Sequence, residues 1–198
     1  MKVLNLGAGK LKPIFSEKML EENNLIVNLD SGYYKSVDPV ELEYLIIQWN
    51  NETNYESKTY YCNENAFTFM ERTHNIFDRI VAYRFLEHIA WGQVLYFIYL
   101  LSTVVRKEGI VDIIVPNFET LSKMLLKEDI NSKEFEANNI IITTELLNDP
   151  EMPHASIWTP QRMIYYFELE KRFKVKTIVN NFEFDGRDIY LRSIINRI

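Results

Sequence analysis

Short apolar runs alternate along the chain with longer stretches whose apolar residues recur at helical spacing. The first run, Val3-Leu4-Asn5-Leu6, stops at Gly7-Ala8-Gly9, and a helix-like segment, Ile14 to Glu22, follows. Pro13 suits the first turn of that helix, where a missing N–H costs nothing. A second strand, Leu25 to Leu29, ends at Asp30; the stretch Ser31 to Ser57 then holds an amphipathic segment, Val40 to Trp49. Lys58 to Cys62 and Phe77 to Tyr83 read as the third and fourth strands, and His88 to Arg106 as a long apolar helix broken by Gly109. A fifth, very apolar strand, Ile110 to Val115, ends at Pro116. Beyond it the pattern predicts a helical piece over Phe118 to Leu126 and an irregular stretch with three prolines from Asn148 to Pro160. A helix over Gln161 to Arg172 then precedes strands Val175 to Asn180 and Ile189 to Ile195. Between those strands lies Asp185-Gly186-Arg187, a hairpin signal.

Strands separated by helical crossovers specify an α/β domain with a mostly parallel sheet. The final hairpin adds an antiparallel closing strand, whereas a nicotinamide-binding sheet of the Rossmann type closes with a parallel sixth strand. At 198 residues, 47% of them hydrophobic and 25% charged, the chain fits one domain spanning 1–198 with a sizeable core. A net charge of −6 removes the electrostatic attraction that drives non-specific nucleic-acid binding, so nucleic acid is disfavoured as a partner. The first apolar run is too short for a signal peptide and no stretch is long enough to span a bilayer; no membrane association and a cytoplasmic location are expected. The single Cys62 excludes an internal disulfide, and with His74, His88 and His154 it matches no zinc spacing, so no metal site is expected. The apolar 88–106 helix is expected to cover the sheet rather than to form a dimer contact.

The candidate chemistry begins at the first two strand ends. Gly7 and Gly9 carry no Cβ, so a ligand can approach the backbone there. Asp30 ends the next strand, where a carboxylate can accept hydrogen bonds from both hydroxyls of an adenosine ribose. The dinucleotide fingerprint wants a third glycine where the helix meets the diphosphate, and Lys12 stands in its place. No Gly-Lys-Ser/Thr follows either, which excludes a P-loop. A cofactor with a ribose and no diphosphate remains.

Val3-Leu4-Asn5-Leu6-Gly7-Ala8-Gly9 resembles motif I of the small bacterial and phage type 11-like S-adenosylmethionine-dependent methyltransferases, and Ile26-Val27-Asn28-Leu29-Asp30 resembles their second motif. Phe77 to His88 is similar to their FD-x-I-x-A-x-x-x-LEH sequence, Val104 to Ile110 to their VLKPGG approach to strand five, and Val115-Pro116-Asn117 to its VPD exit. Asp149-Pro150 with His154, Ser156 and Trp158, and Asp188 to Arg192, resemble the tail of the same enzymes. The motifs span nearly the whole chain in the right order. The resemblance implies a Rossmann-like class I methyltransferase sheet, mostly parallel with an antiparallel closing hairpin and helices on both faces, and S-adenosylmethionine as cofactor.

On that resemblance Asn5, Gly7, Ala8 and Gly9 would hold the methionine end of the cofactor, Asp30 the ribose, and Ala82, Tyr83 and Arg84 the region near the sulfonium. The acid that normally contacts adenine is replaced within Asn63 to Phe67, where Asn65 aligns best; an amide carbonyl can still accept a bond from the adenine amino group. Methyl transfer is an in-line displacement driven largely by positioning, and a base is needed only when the acceptor must lose a proton. His88 and His154 are the candidates for that base because imidazole titrates near neutral pH; a structural Glu87-His88 pair is the competing reading. Trp158 and Tyr33-Tyr34 are weighed between the acceptor pocket and ordinary packing. The (Asp/Asn/Ser)-Pro-Pro-(Tyr/Phe) sequence of amino-methylating DNA enzymes is replaced by Ala82-Tyr83-Arg84-Phe85, and Cys62 lies on strand three rather than where a cytosine-C5 enzyme keeps its nucleophile. Acceptor recognition is expected from insertions at 31–57 and 117–160, and a small-molecule, sugar or nucleotide-linked acceptor is preferred. The alternative is a binding or structural protein that keeps the fold without turnover.

Overall fold

The computed structural model describes residues 1–7, 24–30, 37–51, 57–126, 154–184 and 186–198. Their elements run β1 (Lys2–Leu6), β2 (Leu25–Leu29), α1 (Pro39–Asn51), β3 (Lys58–Cys62), α2 (Ala66–Arg72), β4 (Phe77–Tyr83), a 3-10 turn (Leu86–His88), α3 (Trp91–Val104), β5 (Val105–Pro116), α4 (Phe118–Leu125), α5 (Pro160–Leu169), β6 (Phe173–Phe184) and β7 (Arg187–Arg197). The helix expected over 14–22 lies outside the described residues.

The strands form one sheet in the order β3-β2-β1-β4-β5-β7-β6. β1 to β5 are parallel, and β7 is antiparallel to both of its neighbours, β5 and β6. The expected closing hairpin is therefore present, with β7 inserted beside β5. Its turn is tight: Phe184 pairs with Arg187, and Gly186 has φ +75°, the left-handed conformation that a two-residue hairpin turn requires.

Alternation along the strands sorts the core. Leu4, Leu6, Val27, Leu29, Ile80, Ala82, Ile113 and Val115 share one face and pack with Phe69 of α2, Phe97 and Leu101 of α3, and Met163 and Phe167 of α5. On the other face Ile114 packs with Leu121 of α4 and with Tyr190, while Val3, Ile26 and Val81 form a smaller cluster. The core reading of the 88–106 region holds for α3, whose Val94, Phe97, Ile98 and Leu101 are fully buried. Its outer Tyr96 and Tyr99 stack on each other and are tied back to the chain, Tyr96 by a hydrogen bond to Glu71 and Tyr99 by the Arg172 guanidinium over its ring.

Strands β6 and β7 run longer than the periodicity suggests, and three further boundaries differ from it, each for a visible reason. The helix expected from His88 starts only at Trp91, because the Glu87 carbonyl accepts from the Ala155 and Ser156 N–H groups (2.7 and 2.9 Å) instead of from the next helical turn. At its other end the helix stops at Val104, with Val105 already extended, and β5 begins there rather than at Ile110. Its register against β4 jumps from Phe77–Val105 to Arg79–Ile110. Gly109 sits inside that bulge rather than ending a helix: a Cβ there would lie 2.6 Å from Val105 Cγ2 and 2.8 Å from the Arg106 carbonyl oxygen. Finally, α5 ends at Leu169 rather than Arg172, because Lys171 adopts φ +61° and its N–H turns back to the Glu168 carbonyl.

Candidate functional site

In an open parallel sheet the strand order reverses where β1 lies beside β4, and ligands bind beyond the carboxyl ends of the strands at that point. The end of β1 is Gly7, at φ +64°, whose N–H donates to the Leu29 carbonyl at 3.0 Å. A Cβ on Gly7 would fall 2.4 Å from Cδ2 of Phe85, a residue of the loop after β4. Only glycine lets that loop close against the β1 turn. Asp30 stands one strand over, half-buried, its N–H donating to the Cys62 carbonyl at 3.1 Å. Two of the expected cofactor residues, Gly7 and Asp30, are thus brought to neighbouring strand ends; Ala8 and Gly9 lie outside the described residues, as do Tyr33 and Tyr34.

The remaining expected cofactor residues are already engaged in other bonds. Asn5 donates from Nδ2 to Oδ1 of its cross-strand partner Asn28 at 2.9 Å, and both amides are buried. Asn65 caps α2, its Oδ1 accepting from the Phe67 N–H at 2.9 Å. Ala82 is buried within the core. Tyr83 turns to the opposite face, where its hydroxyl donates to Asp112 at 3.0 Å. Burial, reinforced by the Asp112 charge, pushes this phenol up to about 12. Arg84 holds φ +52° at the strand end and donates its N–H to the Ile114 carbonyl at 2.7 Å. Ala82 and Tyr83 therefore offer a ligand backbone rather than side chain.

His88 and His154, far apart in sequence, meet in space. Residues 154–159 run extended across the loops that follow β4 and β5. Besides the two N–H bonds to the Glu87 carbonyl, Ser156 Oγ donates to the Leu86 carbonyl (3.0 Å), Trp158 Nε1 donates to Ser156 Oγ (2.9 Å), and the Phe118 N–H donates to the Trp158 carbonyl (3.0 Å). The His88 and His154 rings lie 5.0 Å apart, edge to face, with the buried Glu87 carboxylate beside them. Trp158 is 1% exposed and packs against Trp91 and Tyr166, so it is core. His74 is exposed and separate from this group.

Two features escaped the sequence reading. Asp112, fully buried in β5, accepts from Arg79, from Tyr83 and from Arg192 through Nε (3.1 Å) and Nη2 (2.8 Å). The other is Glu87 as a member of the histidine cluster. An acid inside an apolar strand was the available signal for Asp112; for Glu87 the sequence carried none beyond adjacency to His88. Cys62 is buried and its thiol is pushed up to about 11, first by burial and then by the Glu64 charge, which argues against a nucleophilic role.

The architecture has many solved counterparts. A SAM-dependent methyltransferase from Methanosarcina mazei aligns with a TM-score of 0.59 at 14% identity, over 100% of this chain and 92% of that one. The Burkholderia thailandensis 1,6-didemethyltoxoflavin-N1-methyltransferase, solved with 1,6-didemethyltoxoflavin and S-adenosylhomocysteine, aligns with a TM-score of 0.58 at 13% identity, over 99% and 70% of the two chains. A SAM-dependent methyltransferase from Archaeoglobus fulgidus gives 0.58 and 13%, over 99% and 86%. The fold is that of the class I methyltransferases. No protein-family model and no curated protein matches the chain by sequence. In this methyltransferase fold the Gly7 turn and Asp30 occupy adjacent strand ends at the switch point, and the Glu87–His88–His154 cluster is built on the loop after β4.

Proposed function

We propose that the protein is an S-adenosylmethionine-dependent methyltransferase acting on a small-molecule, sugar or nucleotide-linked acceptor. The observation that carries this reading is the pairing of Gly7 and Asp30 on neighbouring strand ends beside the β1/β4 switch point of a sheet closed by an antiparallel β7. The residues fit the cofactor: Asp30 is a carboxylate that keeps part of its surface open at the end of β2, one strand from the Gly7 turn. When bound, S-adenosylmethionine supplies a methyl group on a sulfonium, ready for in-line displacement.

The chain's own part is positioning. Asp30 accepts from the ribose hydroxyls and the Gly7 turn presents backbone to the methionine end, a role we extend to Ala8 and Gly9 on the family resemblance alone. The backbone of Ala82, Tyr83 and Arg84 walls the site at the end of β4. We assign assistance in removing the acceptor's proton to the His88–His154 pair, held in place by the bonds from Ala155 and Ser156 to Glu87. The proposed domain is the whole of 1–198, with 31–57 and 117–160 forming the acceptor side and the cytoplasm as the setting.

Asp30→Ala tests the assignment. Each hydrogen bond to a charged group contributes about 1.5–3 kcal/mol, so the loss of even one to the ribose should leave S-adenosylhomocysteine bound at least about 10-fold more weakly by the variant in calorimetry, with the melting temperature unchanged. Equal affinity of variant and wild type would remove Asp30 from the cofactor site. A second reading, cofactor binding without turnover, draws on Asn65, whose carbonyl oxygen caps α2 where the family resemblance leads one to expect an acid. A search for methyl transfer to small-molecule pools separates the two.

A further inference from the structure

We infer that Glu87, His88 and His154 form a binding site for one divalent transition-metal ion of the zinc, manganese or iron type. One ligand atom from each residue can be chosen so that all lie within 4.8 Å of one another. Around an ion with bonds of about 2.0–2.2 Å, tetrahedral ligand atoms stand about 3.4 Å apart, so modest side-chain rotation closes the set. Two imidazole nitrogens with one carboxylate oxygen is a donor set suited to these ions; magnesium and calcium prefer oxygen alone.

The cluster is built rather than incidental. Glu87 and His88 are consecutive on the 3-10 turn Leu86–His88, and the chain leaves that turn with Ile89 extended. His154 is delivered by its neighbours, since the N–H groups of Ala155 and Ser156 both donate to the carbonyl of Glu87 itself. Ser156 Oγ on the Leu86 carbonyl, and the Trp158 indole on Ser156 Oγ, fix the same two segments against each other one residue further out. Supporting bonds of this kind orient metal ligands. Glu87 is 1% exposed and the two imidazoles are half-buried, so a dication would meet a desolvated carboxylate on one side and keep access on the other. Three protein ligands leave a coordination position for an outside oxygen, the arrangement of a catalytic rather than a structural site. On the methyltransferase reading, on which only this last step rests, that oxygen is the acceptor's hydroxyl: with the ion in place His88 and His154 would be its ligands rather than the base, the ion would lower the hydroxyl's pKa, and the acceptor class narrows to oxygen nucleophiles.

The test is titration of the cofactor-free protein with Zn²⁺ alone, by calorimetry and by ¹⁵N NMR of the histidine rings. The expected result is one Zn²⁺ per chain, with the ring resonances of His88 and His154 shifting together while those of exposed His74 stay in place. His154→Ala and Glu87→Gln should each weaken Zn²⁺ at least tenfold, and Mg²⁺ should compete poorly. The wild-type NMR titration stands even if a variant misfolds. Zn²⁺ reporting only at His74, or bound equally by wild type and a folded His154→Ala, would overturn the site. Because no S-adenosyl ligand is present, that failure would leave the cofactor assignment untouched.

Discussion

Replacing Trp158 with alanine is expected to lower the melting temperature by roughly 6–20 °C, the equivalent of about 3–5 kcal/mol in a chain of this size. The indole is 1% exposed, and its ring lies 5.3 Å from that of Trp91 and 5.9 Å from that of Tyr166. Truncation leaves a cavity among three elements that cannot collapse independently: α3, α5 and the extended segment 154–159. It also removes the donor to Ser156 Oγ, the hydroxyl that bonds the Leu86 carbonyl. Thermal denaturation followed by circular dichroism checks the magnitude. Trp158→Phe keeps most of the apolar volume and loses the hydrogen bond, so its loss should be clearly smaller. A Trp158→Ala loss below about 1 kcal/mol would mean that the indole is not packed as described.

Asp112→Ala should be comparably damaging for an electrostatic reason. The carboxylate is fully buried, between Arg79 of β4 and Arg192 of β7, and accepts from Tyr83 as well. Removing one member of a buried ion cluster costs about 3–5 kcal/mol, chiefly because the charges left behind lose their compensation. Here two guanidiniums would face each other across β5. Arg192 also covers the Phe182 ring, 5.0 Å from its centroid, so its displacement would disturb the β6–β7 hairpin. Chemical denaturation of Asp112→Ala measures the loss, and a midpoint close to wild type would contradict the cluster. The same group fixes the behaviour in alkali. Tyr83 is pushed up to about 12, by burial first and by Asp112 next, so its folded pKa lies above its unfolded one. The stability it contributes is complete below about pH 10 and is lost as pH rises through about 12. Tyr83→Phe should flatten that alkaline loss.

Local pattern carried most of the architecture. β2, β3 and β4 begin and end where their apolar runs do, because a fully or half-buried strand must present apolar residues at each inward position. The hairpin was announced by Gly186, whose backbone conformation few other residues adopt. Boundaries set by distant partners were not visible. The late start of α3 depends on what residues 155 and 156 do with the Glu87 carbonyl, and the bulge at Gly109 depends on the packing of β5 against β4. At the site, the placement of Gly7 and Asp30 on neighbouring strand ends was readable because it follows from where the first two apolar runs stop. Asn5, Asn65 and Tyr83 were named for similar positions, but their side chains have found bonds inside the fold: a cross-strand amide, a helix cap and an ion cluster. The meeting of His88 with His154 needed the tertiary route of residues 154–159, which no spacing rule encodes.

On the proposed function, a nucleoside cofactor without a diphosphate is held at the ends of β1 and β2. The most direct test of this is calorimetric titration of the wild-type protein with S-adenosylhomocysteine and, separately, with NADH. One S-adenosylhomocysteine bound per chain in the micromolar range and no heat from NADH are expected. Binding of NADH with silence toward S-adenosylhomocysteine would contradict it.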